Sequence, residues 1–376
     1  VSRIRPIERA DLAQVAELYE RTMRSGRPLP PPGLAGYFER TLVDCPWADP
    51  EIPSLAYEAD DGRLLGFIGS HVRRLRLDGR QIRMGCAGQL VSDPAHRRLA
   101  IGARLLRSYL AGAQDLSITD GATGVVQEMW THFGGYTAYP GSLVWARLLR
   151  PLQALGDRWL ETRGRKQWRR VAGRAWPLLD RPAAPITRPP AHPTDVTTEE
   201  LTPQAILEHQ ADVLGDARLR VDYDEPFLEW LFRETAAVRT RGTLQRRLLR
   251  HNGDPIGWYV AYLKPRGLSQ VIAIAAKKGK LDLVLDCLFA DAWRWGAAAL
   301  EGRLDPALYK GLFSRRCLLR QGTWALFHSR DPDALAAISL GSSALTRLDG
   351  EWWMGHHTEP FAEVVHAKRA RQDSNL

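Results

Sequence analysis

Three arginines, Arg97, Arg98 and Arg104, bracket a run of small side chains at Ala100, Gly102 and Ala103. Guanidinium groups pair with the oxygens of phosphates and carboxylates, and the small residues let such a group come close to the main chain. The same run opens a helical pattern, with Ile101, Leu105, Leu106 and Tyr109 on one face. The first N–H groups of a helix lack intrahelical partners, and the helix dipole puts partial positive charge there, so a pyrophosphate can be held by backbone alone. Upstream, Gln89 to Val91 reads as the end of an apolar strand that stops at the turn containing Pro94. Strand, tight basic loop and helix start together describe an anion site.

The elements that position this site follow from periodicity. Residues 2–7 form a short edge strand, and a helix after Asp11 carries Leu12, Val15, Leu18 and Tyr19 at helical spacing. Residues 24–32 are rich in Pro and Gly and should be irregular; 34–42 form a second short helix. Period-two patterns over 55–59, 64–69 and 82–91, with turns at Asp60-Asp61-Gly62 and Asp78-Gly79, predict an antiparallel meander of three strands. Gly85 and Gly88 inside the last strand point to a bulge or to a ligand close to the backbone. A strand within 117–126, a short helix over 127–133 and a strand over 142–149 complete this half.

The order Val91-x-x-Pro94-x-His96-Arg97, then Arg97-Arg98-Leu99-Ala100-Ile101-Gly102, then Ala103-Arg104-Leu105-Leu106 resembles the pyrophosphate loop of the GNAT family of acyl-CoA-dependent N-acyltransferases. The family pattern is Gln/Arg-x-x-Gly-x-Gly/Ala, and its first Gly is Ala100 here. The resemblance covers roughly residues 4–149. It implies an acyl-CoA donor, acetyl-CoA by default, with Leu90, Val91, Arg97, Arg98, Leu99, Ala100, Ile101, Gly102 and Ala103 as the binding residues. It also implies that the free backbone of residues 88–91 bonds the pantetheine arm, and that a primary amine of a small molecule attacks the thioester directly. No metal is implied.

Two family positions are occupied differently. The strand before the loop often carries a Glu as base, but this one offers Cys86 and Gln89. The late short helix often carries a Tyr as acid, and Trp130 stands there instead. The nearby residues able to move protons are Tyr136 as acid, His132 as base, and Glu128. Cys86 as a nucleophile would need an activating base that the sequence does not supply. Phe38 and Trp47 fall in the region that overhangs the acceptor pocket in the family, though each alone reads as core.

At 376 residues and a net charge of +9, the chain has room for about two domains and suits polyanionic partners. Cys45, Cys86, Cys287 and Cys317 lack metal-like or disulfide spacing and read as buried thiols. No signal peptide or membrane-length apolar run is apparent, so a cytoplasmic protein is expected. The expected fold class is α+β, with two GNAT-like domains, each a mostly antiparallel mixed sheet flanked by helices.

The expected division is a catalytic domain over 1–149, a basic helix and Pro-rich linker over 150–195, a degenerate GNAT-like domain over 196–366 and a polar tail over 367–376. In the second half Lys277, Lys278 and Lys280 stand where the first half has its arginine loop, and 321–328 and 345–354 are expected to finish the second sheet. Two other functions compete with acyl transfer: a non-catalytic acyl-CoA-binding or regulatory protein, and a binder of nucleic acid or an acidic carrier protein through residues 150–174. Nucleic acid is the less expected partner. Oligomeric state is not legible.

Overall fold

The computed structural model describes residues 2–24, 33–162, 180, 182 and 184–354. The basic stretch beyond Thr162, most of the Pro-rich linker, the His356-His357 pair and the polar tail lie outside the described residues. The chain divides into two compact units, each assembled from separated segments: 1–139, 217–237 and 323–376 in the first, 140–216 and 238–322 in the second.

In the first unit the expected meander forms as β2 (Leu55–Glu58), β3 (Leu64–Leu77) and β4 (Arg80–Ser92), with β1 (Arg3–Pro6) at the edge beside β2. Asp78 and Gly79 both take positive φ, 49° and 84°, the two-residue turn whose twist suits a hairpin. The eight-stranded sheet runs β1-β2-β3-β4-β5-β15-β6, where β5 is Leu116–Ala122, β6 is Tyr136–Thr137 and β15 is Trp324–Ser329; β9 (Leu219–Val221) pairs with β3 off this path. Helices α1 (Leu12–Tyr19) and α2 (Leu34–Phe38) share a buried cluster with Phe67 and Val91, and Phe38 lies inside that core.

Helix α3 (Ile101–Leu110) buries the face read from the sequence, Ile101, Leu105, Leu106 and Tyr109, and Leu110 besides. These pack against Leu65, Ile68, Ala87, Trp130 and Leu326, with α4 (Gly124–His132) supplying Trp130. The helix comes so near β3 that a Cβ on Gly66 would sit 2.3 Å from Ile101 Cγ2 and 2.8 Å from Leu105 Cδ1.

The second unit holds a seven-stranded sheet in the order β14-β7-β13-β12-β11-β10-β8. Its strands are β7 (Leu143–Leu148), β8 (Val196–Glu200), β10 (Thr243–His251), β11 (Asp254–Leu263), β12 (Leu268–Ala276), β13 (Ala299–Arg303) and β14 (Leu318–Gln321). The β10–β11 hairpin turns at Asn252-Gly253, as its dipeptide demands. Its helices include α5 (Pro151–Thr162), α6 (Ala184–Thr187), α7 (Pro203–Leu214), α9 (Leu281–Arg294) and α10 (Tyr309–Ser314), while α8 (Glu225–Ala236) and α11 (Pro332–Ser339) belong to the first unit. The β12–α9–β13 crossover, with its parallel pair Leu268↔Ala299 through Val271↔Gly302, repeats β4–α3–β5. Two of its three loop lysines are engaged within the protein: Lys277 pairs with Asp212, and Lys280 Nζ lies 3.5 Å from His251 Nδ1. Both sheets are mixed and flanked by helices, the expected fold class.

The sequential division at 149 and 195 is not how the sheets are built. The strand at 143–148, expected to finish the first sheet, pairs with β13 and β14 in the second. In exchange β15, expected in the second sheet, lies between β5 and β6 in the first. Residues 345–354 form no strand of the second sheet; they are a turn-rich segment of the first unit. Local periodicity identifies a strand but not its partner, because pairing partners lie up to about 200 residues away and any strand of suitable pattern can satisfy the same edge. Among the described residues no helix is long and apolar enough to cross a membrane.

The close approach of α3 to β3 can be tested by Gly66→Ala. The added methyl should overpack the helix interface and lower unfolding stability by about 1–3 kcal/mol in denaturant titration, with far-UV dichroism unchanged.

Candidate functional site

Strands β4 and β5 run parallel but pair over only three positions, Met84↔Leu116, Gly85↔Ser117 and Cys86↔Ile118. Beyond Cys86 and Ile118 they part. Each strand carries a one-residue bulge where they separate: β4 slips against β3 between Gly88 and Val91, and β5 slips against β15 between Thr119 and Ala122. Gln89, at the β4 bulge, has φ of 51°, so its backbone is turned out of the extended conformation. Among the described residues, the β5-facing edge of β4 beyond Cys86 has no strand partner. Main-chain polar groups there are available to a ligand.

The bulge is braced from behind by His71. Its Nδ1 lies 3.2 Å from the Thr41 carbonyl and its Nε2 3.0 Å from the side-chain amide of Gln89. Burial, with the Arg73 charge adding to it, pushes this imidazole down to about 4, so it is neutral at ordinary pH. The two glycines of β4 have different reasons. A Cβ on Gly85 would fall 2.5 Å from Tyr109 Oη, so Gly85 makes room for a core tyrosine, whereas one on Gly88 would fall 3.2 Å from His71 Nε2.

Past the bulge the chain reaches the arginine loop. The Asp93 side chain caps a 3-10 turn over Pro94–Leu99 by accepting from Ala95 N at 2.9 Å. Ala100 then takes the left-handed conformation, φ 48° and ψ 38°, and α3 begins. Arg104 N donates to the Ala100 carbonyl, which leaves the N–H groups of Ile101, Gly102 and Ala103 at the helix mouth. Gly102 is half-buried, and a Cβ there would make only an ordinary contact with Ser92 Oγ at 3.9 Å. Arg97, Arg98, Leu99 and Ala100 are exposed around this mouth, with Leu90 half-buried and Val91 buried beneath it. Arg104 is held elsewhere: it donates to Tyr57 Oη at 3.0 Å and lies over that ring.

Of the three proton-moving candidates, Glu128 and His132 lie four residues apart on α4, and Tyr136 lies on β6. Glu128 and His132 stand exposed on α4, and the His132 ring meets the edge of Phe133. Tyr136 is half-buried on β6, paired with Phe327 of β15. Trp130 is buried in the α3 cluster and carries no acid. Burial lifts the Cys86 thiol to about 12 despite the nearby Arg73, and its Sγ faces the Asp349 carbonyl at 3.6 Å, which suits a packed thiol. Trp47 is likewise buried and stacks on Phe227 at 3.6 Å. Among the described residues no group of three or more His, Cys, Asp or Glu side chains is arranged to hold a metal ion.

Sequence reasoning missed the carboxylate that does stand in the parting, Glu351. Its Oε1 accepts from Thr119 Oγ1 at 2.6 Å, Gly121 N at 3.0 Å and Asp120 N at 3.3 Å, all on β5. On the β4 side, a Cβ on Gly88 would be 3.7 Å from the Glu351 Cβ, so the side chain spans the gap between the two strands. Asp120 Oδ1 fixes its backbone, accepting from Glu351 N at 3.0 Å and Trp352 N at 2.9 Å. Gly350 permits this: a Cβ there would lie 2.5 Å from both Asp120 carboxylate oxygens. Enclosure away from water and the Asp120 charge push the Glu351 carboxyl up to about 7. The buried Arg73 clamps the segment from the other side, donating from Nε to the Asp349 carbonyl at 2.9 Å. The available signal was Asp349-Gly350, a turn dipeptide immediately before an acidic residue and two tryptophans.

The loop geometry carries its own test. A left-handed alanine costs roughly 1–2 kcal/mol relative to its ordinary conformations. Ala100→Gly should therefore raise unfolding stability by about 1 kcal/mol, measured by chemical denaturation, after allowance for the entropy a glycine adds to the unfolded chain. A loss of stability would show that Ala100 is not left-handed in solution.

No protein-family model matches the chain, and no curated protein is significantly similar to it in sequence. Solved structures do resemble it. A GCN5-related N-acetyltransferase from Anabaena variabilis superposes with a TM-score of 0.57 at 12% identity, over 90% of this chain and 75% of that one. A GCN5-related N-acetyltransferase from Kribbella flavida superposes with a TM-score of 0.52 at 16% identity, over 90% of this chain and 74% of that one. The parallel pair that parts beneath a left-handed helix entry thus sits in a chain that has, over nine-tenths of its length, the fold of the GCN5-related N-acetyltransferases.

Proposed function

We propose that the first unit binds an acyl-CoA, acetyl-CoA by default, and transfers its acyl group to the primary amine of a small molecule by direct attack. The observation that carries this is the parting of β4 from β5 at Cys86 and Ile118, directly before a helix entered through a left-handed residue. An extended arm that carries amides can bond the free edge of residues 88–91 as a short strand would. The pyrophosphate at its end then meets the N–H groups of Ile101, Gly102 and Ala103 and the exposed Arg97 and Arg98, where helix dipole and guanidinium charge act together.

Direct transfer needs a deprotonated amine, a polarised carbonyl and a proton for the leaving thiolate. A backbone N–H near the β4 bulge serves the second. Tyr136, half-buried on β6, is the phenol assigned to the third. Glu128 and His132 face open solvent on α4 and have no part in this assignment.

Thermal unfolding of the full chain with acetyl-CoA and longer acyl-CoAs tests the donor. A ligand at 100 times its Kd should stabilise the protein by about 2.7 kcal/mol. Gly102→Trp, which places an indole at the helix mouth, should abolish the shift; Arg98→Ala should weaken binding several-fold. If no CoA ester stabilises the wild type at saturating concentration, the donor assignment is wrong. Stabilisation without free-thiol release from any amine would favour a non-catalytic acyl-CoA-binding protein.

A further inference from the structure

We propose that Glu351 is the proton acceptor of the transfer step and that the acceptor is a protonated alkylamine, drawn to the carboxylates that Glu351 and Asp120 place where β4 and β5 part. This rests on the acyl-CoA reading above and adds to it the base and the class of acceptor.

Position is the first support. Glu351 lies between Gly88 of β4 and Thr119 to Gly121 of β5, one to three residues beyond the last paired positions, Cys86 and Ile118. An acyl group carried into the parting arrives beside this side chain, and Glu128 and His132 are exposed on the helix that follows β5. Orientation is the second. Three donors converge on Oε1 and hold the carboxylate in one rotamer, while no hydrogen bond from the described residues engages Oε2. One oxygen is anchored and the other is available to a substrate N–H.

Charge is the third. The groups that act on Glu351 are Asp120 on β5, the thiol of Cys86 on β4 and the phenol of Tyr109 on α3; Asp349 stands two residues before it, Arg73 bonds the carbonyls of that segment, and His71 flanks Gly88. Asp349 is committed to Tyr223 Oη and to Thr346, and His71 is neutral. Arg73 spends its donors on the carbonyls of Val72, Asp349 and Gly350, and its guanidinium lies over the Phe227 ring. Two neighbouring carboxylates with a carboxyl lifted toward neutrality make a site that gains from a cationic guest. An alkylammonium supplies that charge, whereas an arylamine, neutral at pH 7, does not.

Glu351 takes one proton from the ammonium, and the freed lone pair forms the N–C bond to the thioester carbonyl. Collapse of the tetrahedral adduct breaks the C–S bond; the second nitrogen proton ends on the thiolate, and Glu351 releases its proton to solvent. The products are an amide, CoA thiol and one proton.

The test uses the full chain with acetyl-CoA and with butylamine, 1,4-diaminobutane or aniline as acceptor, read as thiol release, alongside acetyl-CoA affinity by calorimetry. Glu351→Gln keeps the shape and an acceptor oxygen; it should leave acetyl-CoA affinity within about twofold and lower kcat with the alkylamines by at least about 100-fold. Glu351→Asp, which keeps the carboxylate, should retain more activity than the glutamine variant even if both lose some stability. Asp120→Asn should move the acid limb of the kcat/KM profile to lower pH, which loss of a purely structural contact would not do. The proposal is overturned if acetyl-CoA binds but Glu351→Gln turns over alkylamines within threefold of wild type, if neither alkylamine is acylated, or if aniline is the better acceptor. Absence of acetyl-CoA binding would instead overturn the donor assignment on which it rests.

Discussion

The first unit depends on a sheet whose central parallel pair stops early. Three residue pairs hold β4 to β5, and then each strand bulges and turns away from the other. Backbone N–H and C=O groups left inside a protein without partners cost about as much as lost hydrogen bonds, so a parting in mid-sheet has to be compensated. On the β5 side the compensation is visible: Gly121 N and Asp120 N both donate to Glu351. On the β4 side His71 holds the Gln89 side chain at the bulge, and the free backbone edge is the feature that invites an extended ligand.

The parting stays open because rigid packing lies on both of its sides. Helix α3 is pressed onto β3 through Gly66, and Trp130, Leu326 and Ala87 fill the space around it. The segment 345–354 is fastened by groups that cannot be released cheaply. Arg73 is fully buried and spends its donors on the carbonyls of Val72, Asp349 and Gly350, with its guanidinium over the Phe227 ring. Removing any of these partners would leave a charge or polar group buried without compensation. Trp353 closes the same segment, donating to Leu348 O and meeting Trp230 edge-on. A carboxylate supported in this way keeps its rotamer, which a proton acceptor requires.

Much of this was legible in the sequence, and the failures have a common cause. The meander, the strand-loop-helix at 89–106 and the apolar face of α3 were readable because each is written within a window of a few residues. The bulge was anticipated from Gly85 and Gly88, although Gly85 serves Tyr109 and the left-handed turn falls on Gln89 and Ala100. What could not be read was partnership at long range. Residues 143–148 and 324–329 carry ordinary strand patterns, and nothing in them says which sheet they join. Glu351 is separated from Asp120 by 231 residues, so no local signal unites the two carboxylates. The order of elements in a single domain points to residues 128–136 for a base, whereas Glu351 reaches β5 from 231 residues away.

The most direct measurement is a crystal structure of the full chain with a non-hydrolysable thioether analogue of acetyl-CoA. The pantetheine amides should bond the β4 backbone over residues 88–91, the pyrophosphate should meet the N–H groups of Ile101 to Ala103, and the acyl carbon should face Glu351 Oε2. An analogue bound away from the parting of β4 and β5, or one whose acyl end points away from Glu351, would contradict it.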